Sequence, residues 1–158
     1  MARKISKAKT KWIITVISFV MSLIMFGAFI FGIFNKPTDT KELDLLDYGI
    51  GTIDSTTGKA VESRKSIYSK DLETVNGLEI TVDDDANVTY KVAFYDEDKN
   101  FVSVTEALDD NFDVSSIPEG AKFFRLAITP NQVDGEDVKI SALNMNKYAK
   151  QLEVVFTK

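Results

Sequence analysis

An apolar run without a single charge, Trp12 to Phe34, limits what this chain can be more than any other feature. Wound as a helix at about 1.5 Å per residue, its 23 residues reach roughly 35 Å, enough to cross a bilayer core of about 30 Å with some tilt. Arg3, Lys4, Lys7, Lys9 and Lys11 precede it with no acid among them, whereas Lys36 stands alone behind it until Asp39, Lys41, Glu42 and Asp44 bring mixed charge. Positive charge beside a span stays cytoplasmic, which puts the N-terminus inside and the C-terminal part outside. Trp12 suits an interfacial anchor, and Lys11 and Lys36 can snorkel to the two surfaces. A cleaved signal peptide competes with this reading. Its apolar core runs about 7–15 residues and ends at small residues. Here the run is longer and ends Phe31-Gly32-Ile33-Phe34, so an uncleaved signal-anchor is expected. The organisation that follows is a basic cytoplasmic N-terminus over 1–11, a single membrane-spanning helix over 12–34, a polar tether over 35–43 and an extracytoplasmic domain over 44–158, held at the cell membrane.

One side of that helix is small. Thr15, Ser18, Ser22, Ala28 and Gly32 share a sector, and Ser18/Ser22 and Ala28/Gly32 have the spacing that lets two helices approach closely. Phe26 and Phe29 interrupt the sector. Self-association or packing on a protein partner is one reading. The ordinary abundance of small residues in membrane helices is the other.

All acidic residues lie beyond the run: from Pro37 onward 24 Asp plus Glu face 13 Lys plus Arg, a net charge of −11. Nucleic acid and anionic lipid both need a basic footprint, so neither is an expected partner of the outer domain. About 120 residues suffice for one core. Cysteine is absent, so no disulfide staples the domain. Histidine is absent too, which removes the commonest general base, the commonest metal ligand and any histidine-containing triad. With no phosphate loop, zinc spacing or nucleophile elbow either, the chain is not expected to be an enzyme.

Beyond the tether, residues alternate as in half-buried strands. Val88, Tyr90, Val92 and Phe94 alternate with Thr89, Lys91, Ala93 and Tyr95, and Phe124, Leu126 and Ile128 with Phe123, Arg125 and Ala127. Leu78–Val82, Phe101–Val104, Lys139–Leu143 and Leu152–Phe156 complete the expected strands. Turn signals recur at Thr57-Gly58, Asn76-Gly77, Asp83-Asp84-Asp85, Pro118-Glu119-Gly120 and Asp134-Gly135. Short helical turns near Leu43–Asp47, Thr105–Asp109 and Asn144–Tyr148 stay open. The pattern predicts an all-β antiparallel sandwich or barrel.

Several segments together resemble the jelly-roll, galactose-binding-like modules of Firmicutes-type bacterial surface and phage tail proteins. They are Ile53-Asp54-Ser55-Thr56-Thr57-Gly58, Thr74-Val75-Asn76-Gly77-Leu78-Glu79-Ile80, the aromatic strand running into Tyr95-Asp96-Glu97-Asp98-Lys99-Asn100-Phe101, and Ile117-Pro118-Glu119-Gly120-Ala121-Lys122. The likeness covers about two thirds of the chain and rests on turns and strands rather than ligand motifs. It implies a jelly-roll β-sandwich, with glycan binding or adhesion as the expected role.

Three candidate sites follow. Asp96-x-Asp98-x-Asn100 opens like a calcium loop, but Phe101 and Ala107 stand where an EF-hand needs Gly and Glu, so a hairpin turn is expected. Asp83-Asp84-Asp85 and Asp109-Asp110 are candidate ligands of a structural calcium, with acidic surface loops the plain alternative, and no other cofactor is expected. Sugar binding needs aromatic faces and fixed polar groups. If the two long strands are neighbours with their alternate residues in the core, Lys91, Tyr95, Phe123 and Arg125 share the outward face as the candidate ligand-binding residues. The leading expectation is a membrane-anchored, non-catalytic binding or adhesion module for a cell-envelope glycan. The other is a structural subunit of a membrane assembly that holds protein partners through the helix and a sheet surface.

Overall fold

The computed structural model describes residues 39–158. Strands in chain order are β1 (Thr40–Glu42), β2 (Tyr48–Ile50), β3 (Thr52–Ile53), β4 (Ala60–Val61), β5 (Ile67–Ser69), β6 (Glu73–Thr74), β7 (Glu79–Val82), β8 (Val88–Tyr95), β9 (Phe101–Val104), β10 (Phe123–Pro130) and β11 (Leu152–Thr157). A five-residue helix, α1 (Met145–Ala149), and 3-10 turns at Leu45–Asp47 and Val114–Ser116 complete the described elements. The apolar run at 12–34, with its proposed helix side and flanking charges, lies outside the described residues. Among those described, no helix is long and apolar enough to cross a membrane.

The strands form antiparallel sheets. One has the order β1-β11-β7; the larger runs β2-β5-β10-β8-β9, with β6 also on β10. Strand β10 pairs with β8 along its whole length, from Phe123 opposite Tyr95 to Pro130 opposite Val88. Alternation then decides the interior. Tyr90, Val92, Phe94, Phe124, Leu126 and Ile128 all point one way and are buried in one core. From the smaller sheet Ile80, Leu152, Val154 and Phe156 meet them, with the Phe124 and Phe156 rings edge to face at 5.6 Å. Two sheets sharing one core make a sandwich, as the alternation predicts.

Two expectations are corrected, and one of the turns left open does not form. Thr40–Glu42, expected within the polar tether, pairs with β11 as a strand. Its Lys41 lies over the Phe156 ring and bonds Glu73 at 2.7 Å, so a polar-looking sequence is drawn into the sheet by one amphipathic stem. Lys139–Leu143 is no strand. The Ile140 amide bonds the Arg64 carbonyl, and the Asn144 side chain ties Lys139 and Ser141 into a turn that leads to α1. Thr105–Asp109 is not helical: Leu108 exchanges backbone bonds with Tyr90, and the Thr105 amide donates to the Val92 carbonyl while its hydroxyl accepts from the Val92 amide, continuing the β8 edge irregularly. The helical turns near residues 45 and 145 do form.

Two ends of the sandwich follow from the registers. At one, Lys158 bonds Asp39, Thr157 bonds Asn76, and Val75 bonds Lys122 beside the start of β10. At the other, β10 ends at Pro130 opposite Val88, and the segments 131–140 and 63–66 lie together. The eight residues of β10 separate them by roughly 25 Å.

Candidate functional site

The outward face of β8 and β10 is where the sequence places its binding residues. The two strands are neighbours, and their register puts Tyr95 opposite Phe123, Arg125 opposite Ala93 and Lys91 opposite Ala127. All four candidates therefore share a face. That face is not open throughout. The hairpin β3–β4 folds over it, and Ile53, Ala93, Tyr95 and Ala127 form a second small core with Tyr68, Leu72, Phe101 and Phe123 packed against it.

Tyr95 is the correction here. It is 5 % exposed, its ring is edge-on to Phe101 at 6.0 Å, and its hydroxyl donates to the Gly58 carbonyl. Burial pushes the phenol's pKa up, with Arg125 acting in the opposite sense. Gly58 makes the closure fit: its φ is +67°, and a Cβ there would lie 2.3 Å from the Phe101 ring. Asp54 holds the hairpin turn by accepting from the Thr56 and Thr57 amides and the Thr57 hydroxyl. Alternation in the sequence tells which way Tyr95 points but not that a hairpin some forty residues earlier covers it.

Lys91, Phe123 and Arg125 are half-buried. The Lys99 ammonium lies 5.7 Å from the centre of the Phe123 ring, and the Arg125 guanidinium 6.0 Å from that of Tyr68. Arg125 Nη2 donates to the Lys70 carbonyl at 2.9 Å. The Phe123 and Tyr68 rings thus each already have a cation of the chain beside them. The acidic candidates resolve more simply. Asp96 accepts from the Asp98 and Asn100 amides and the Asn100 side chain, a self-contained hairpin turn. Among the described residues no group of three acidic side chains converges in a way that could hold a metal ion.

A site the sequence does not announce lies at the far end of the sandwich. Ser63, Arg64 and Lys65 face Gln132, Glu136, Asp137 and Lys139 across a cleft of about 710 Å³. The positive-φ pair Asp134 and Gly135 forms the tip of the second loop, closed by Val133 and Glu136 bonding each other. Lys65 pairs with Asp137, and Gln132 Nε2 donates to the same carboxylate at 3.0 Å. These two contacts hold the Asp137 carboxyl below the ordinary carboxylate range. Beneath the cleft the Ser66 and Thr129 hydroxyls bond at 2.8 Å. The walls come from segments nearly seventy residues apart, so only the polarity of each loop is visible in the sequence, not their meeting.

No known protein family, characterised protein or solved structure matches this chain.

Proposed function

We propose that this chain is a membrane-anchored, non-catalytic binding module, a jelly-roll sandwich of the galactose-binding-like kind, whose ligand is a cell-envelope glycan taken in the cleft between residues 63–65 and 132–139. The cleft carries the reading. It offers cationic donors, carboxylate and amide acceptors and a serine hydroxyl within one concavity of ligand size, the mixed set that sugar hydroxyls require. It lies on loops at the end of a rigid sandwich opposite Asp39. The Lys91/Phe123/Arg125 face is the weaker receptor, because a sugar stacking there must displace Lys99 or Arg125 from the rings they already occupy. The anchor is the apolar run over 12–34, with the N-terminus cytoplasmic.

A glycan-array screen of the full-length protein tests this. Retained glycans should be lost with Lys65→Ala and Asp137→Ala, and kept with Phe123→Ala. Loss with Phe123→Ala or Arg125→Ala alone returns the site to the sheet face, and an empty array removes the glycan reading. A structural subunit of a membrane assembly is the second reading. It draws on the small-residue side Ser18/Ser22/Ala28/Gly32 and on Leu46 and Leu143, which are 79 % and 97 % exposed. A crosslinked partner lost on Gly32→Leu, with an empty array, decides for it.

A further inference from the structure

Strands β6 and β7 are joined by the turn Val75-Asn76-Gly77-Leu78, closed by the Leu78 amide donating to the Val75 carbonyl at 3.2 Å. Gly77, third in the turn, has φ +60°, which glycine adopts without strain. The turn is fastened to the end of β11. The Thr157 amide donates to the Asn76 carbonyl at 2.7 Å, and a Cβ on Gly77 would lie 2.8 Å from Thr157 Oγ1. Asn76 and Gly77 are nevertheless both exposed. The hydrogen bonds of Asn76 use its main chain alone, its amide donating to Thr74 Oγ1 and its carbonyl accepting from Thr157. Among the described residues, its carboxamide and the Gly77 amide form none.

This combination belongs to one asparagine. Every other asparagine of the chain is followed by a residue with a side chain, which screens the amide nitrogen behind it. Several are also tied down. Asn100 Nδ2 donates to Asp96, Asn111 Oδ1 accepts from the Val82 amide, and Asn144 Oδ1 accepts from the Ser141 amide. At Asn76 a free carboxamide carbon and an unscreened, unbonded amide nitrogen stand where a five-membered ring can close between them.

We propose that Asn76 is a modification site, converted without an enzyme to aspartate and isoaspartate through a succinimide shared with Gly77. Solvent base removes the Gly77 amide proton, and the nitrogen attacks Asn76 Cγ. The new N–Cγ bond closes the ring, the Cγ–Nδ2 bond breaks, and Nδ2 takes a proton from water and leaves as ammonia. Water then opens the ring at Cγ, giving aspartate, or at the main-chain carbonyl carbon, giving isoaspartate. The balance is a water consumed, an ammonia released and a carboxylate gained. In isoaspartate the main chain runs through Cβ and Cγ, so the turn is an atom longer. The Leu78 closure and the Thr157 bond are both matched to the shorter turn, and the close approach of Gly77 to Thr157 leaves no slack. Conversion therefore loosens the last residues of β11, at the end of the sandwich opposite the glycan cleft and independently of it.

The test is peptide mapping, with fragmentation that separates isoaspartate from aspartate, of full-length protein aged in detergent micelles at mildly alkaline pH, beside the same protein aged in denaturant. Folded protein should accumulate both acids at position 76, isoaspartate in excess, while Asn100, Asn111 and Asn144 keep their amides. Asn76→Gln, whose longer side chain does not close the five-membered ring, should lose the product. In the aged fraction, hydrogen exchange at the Leu78 and Thr157 amides should accelerate, whereas fresh Asn76→Asp, which gains the charge without the extra atom, should keep the native protection. An intact Asn76 in folded protein, whether or not the denatured chain converts, overturns the proposal. So does equal conversion at the other asparagines, unchanged exchange in the isoaspartate fraction, or equal loss of protection in Asn76→Asp.

Discussion

Single side chains hold this domain at two kinds of place. Phe94 is 1 % exposed and packs 6.2 Å from Phe112 between the sheets. Truncating Phe94→Ala should cost about 3–5 kcal/mol in denaturant unfolding; a change below about 0.5 kcal/mol, normal for a surface position, would remove Phe94 from the core. The turns are held by aspartates instead. Asp54, Asp96 and Asp113 have lowered pKa values, chiefly from hydrogen bonds given by Thr57, Asn100 and Ser115 respectively. A carboxylate with a lowered folded pKa stabilises above its unfolded value of 3.8 and loses that contribution as pH falls through the folded value. The Thr57, Asn100 and Ser115 amide resonances should therefore titrate together with their aspartates below pH 3.8 and stay flat above about pH 5. Lys41 has the opposite sign. Its bond to Glu73 raises its pKa above 10.5, so its contribution is present at neutral pH and is lost only as alkaline pH passes that raised value.

At the scale of elements, the hairpin β3–β4 decides how much of the large sheet is free. Gly58→Ala places a Cβ against Phe101 at a positive φ, so it should lift the hairpin and release the Tyr95 hydroxyl from the Gly58 carbonyl. Hydrogen exchange should accelerate at Gly58 and Asp54, whose amides are bonded within the hairpin, while the β8–β10 ladder keeps its protection; unchanged exchange would mean that the hairpin does not depend on this glycine. The long strands β8 and β10 were legible in the sequence because eight-residue alternation leaves little choice of face. The short ones were not. At β5 the apolar period is broken by Ser69 in the strand and Ser66 just before it, buried polar residues that bond the Leu126 amide and Thr129 respectively. Strand β1 has three polar residues whose only apolar feature is the Lys41 stem. Lys139–Leu143 alternates like a strand, yet Leu143 is 97 % exposed, because local Asn144 bonds compete successfully with any ladder.

For the whole molecule, the candidate site was only half legible. The register of β8 on β10 brought Lys91, Tyr95, Phe123 and Arg125 to one face, as their spacing implied, but covering that face took a hairpin from elsewhere in the chain. The far-end cleft arises from the meeting of the 63–65 and 132–139 loops, a long-range contact that no local pattern encodes. Chemical-shift mapping of the full-length protein, titrated with soluble cell-envelope glycan fragments, tests the proposed glycan site. Shifts should concentrate at Ser63–Lys65 and Gln132–Lys139 and saturate together, with Phe123, Arg125 and Lys91 unmoved. Shifts centred on the β8–β10 face, or none at the highest fragment concentration, would contradict the proposal of a glycan receptor at the loop end of the sandwich.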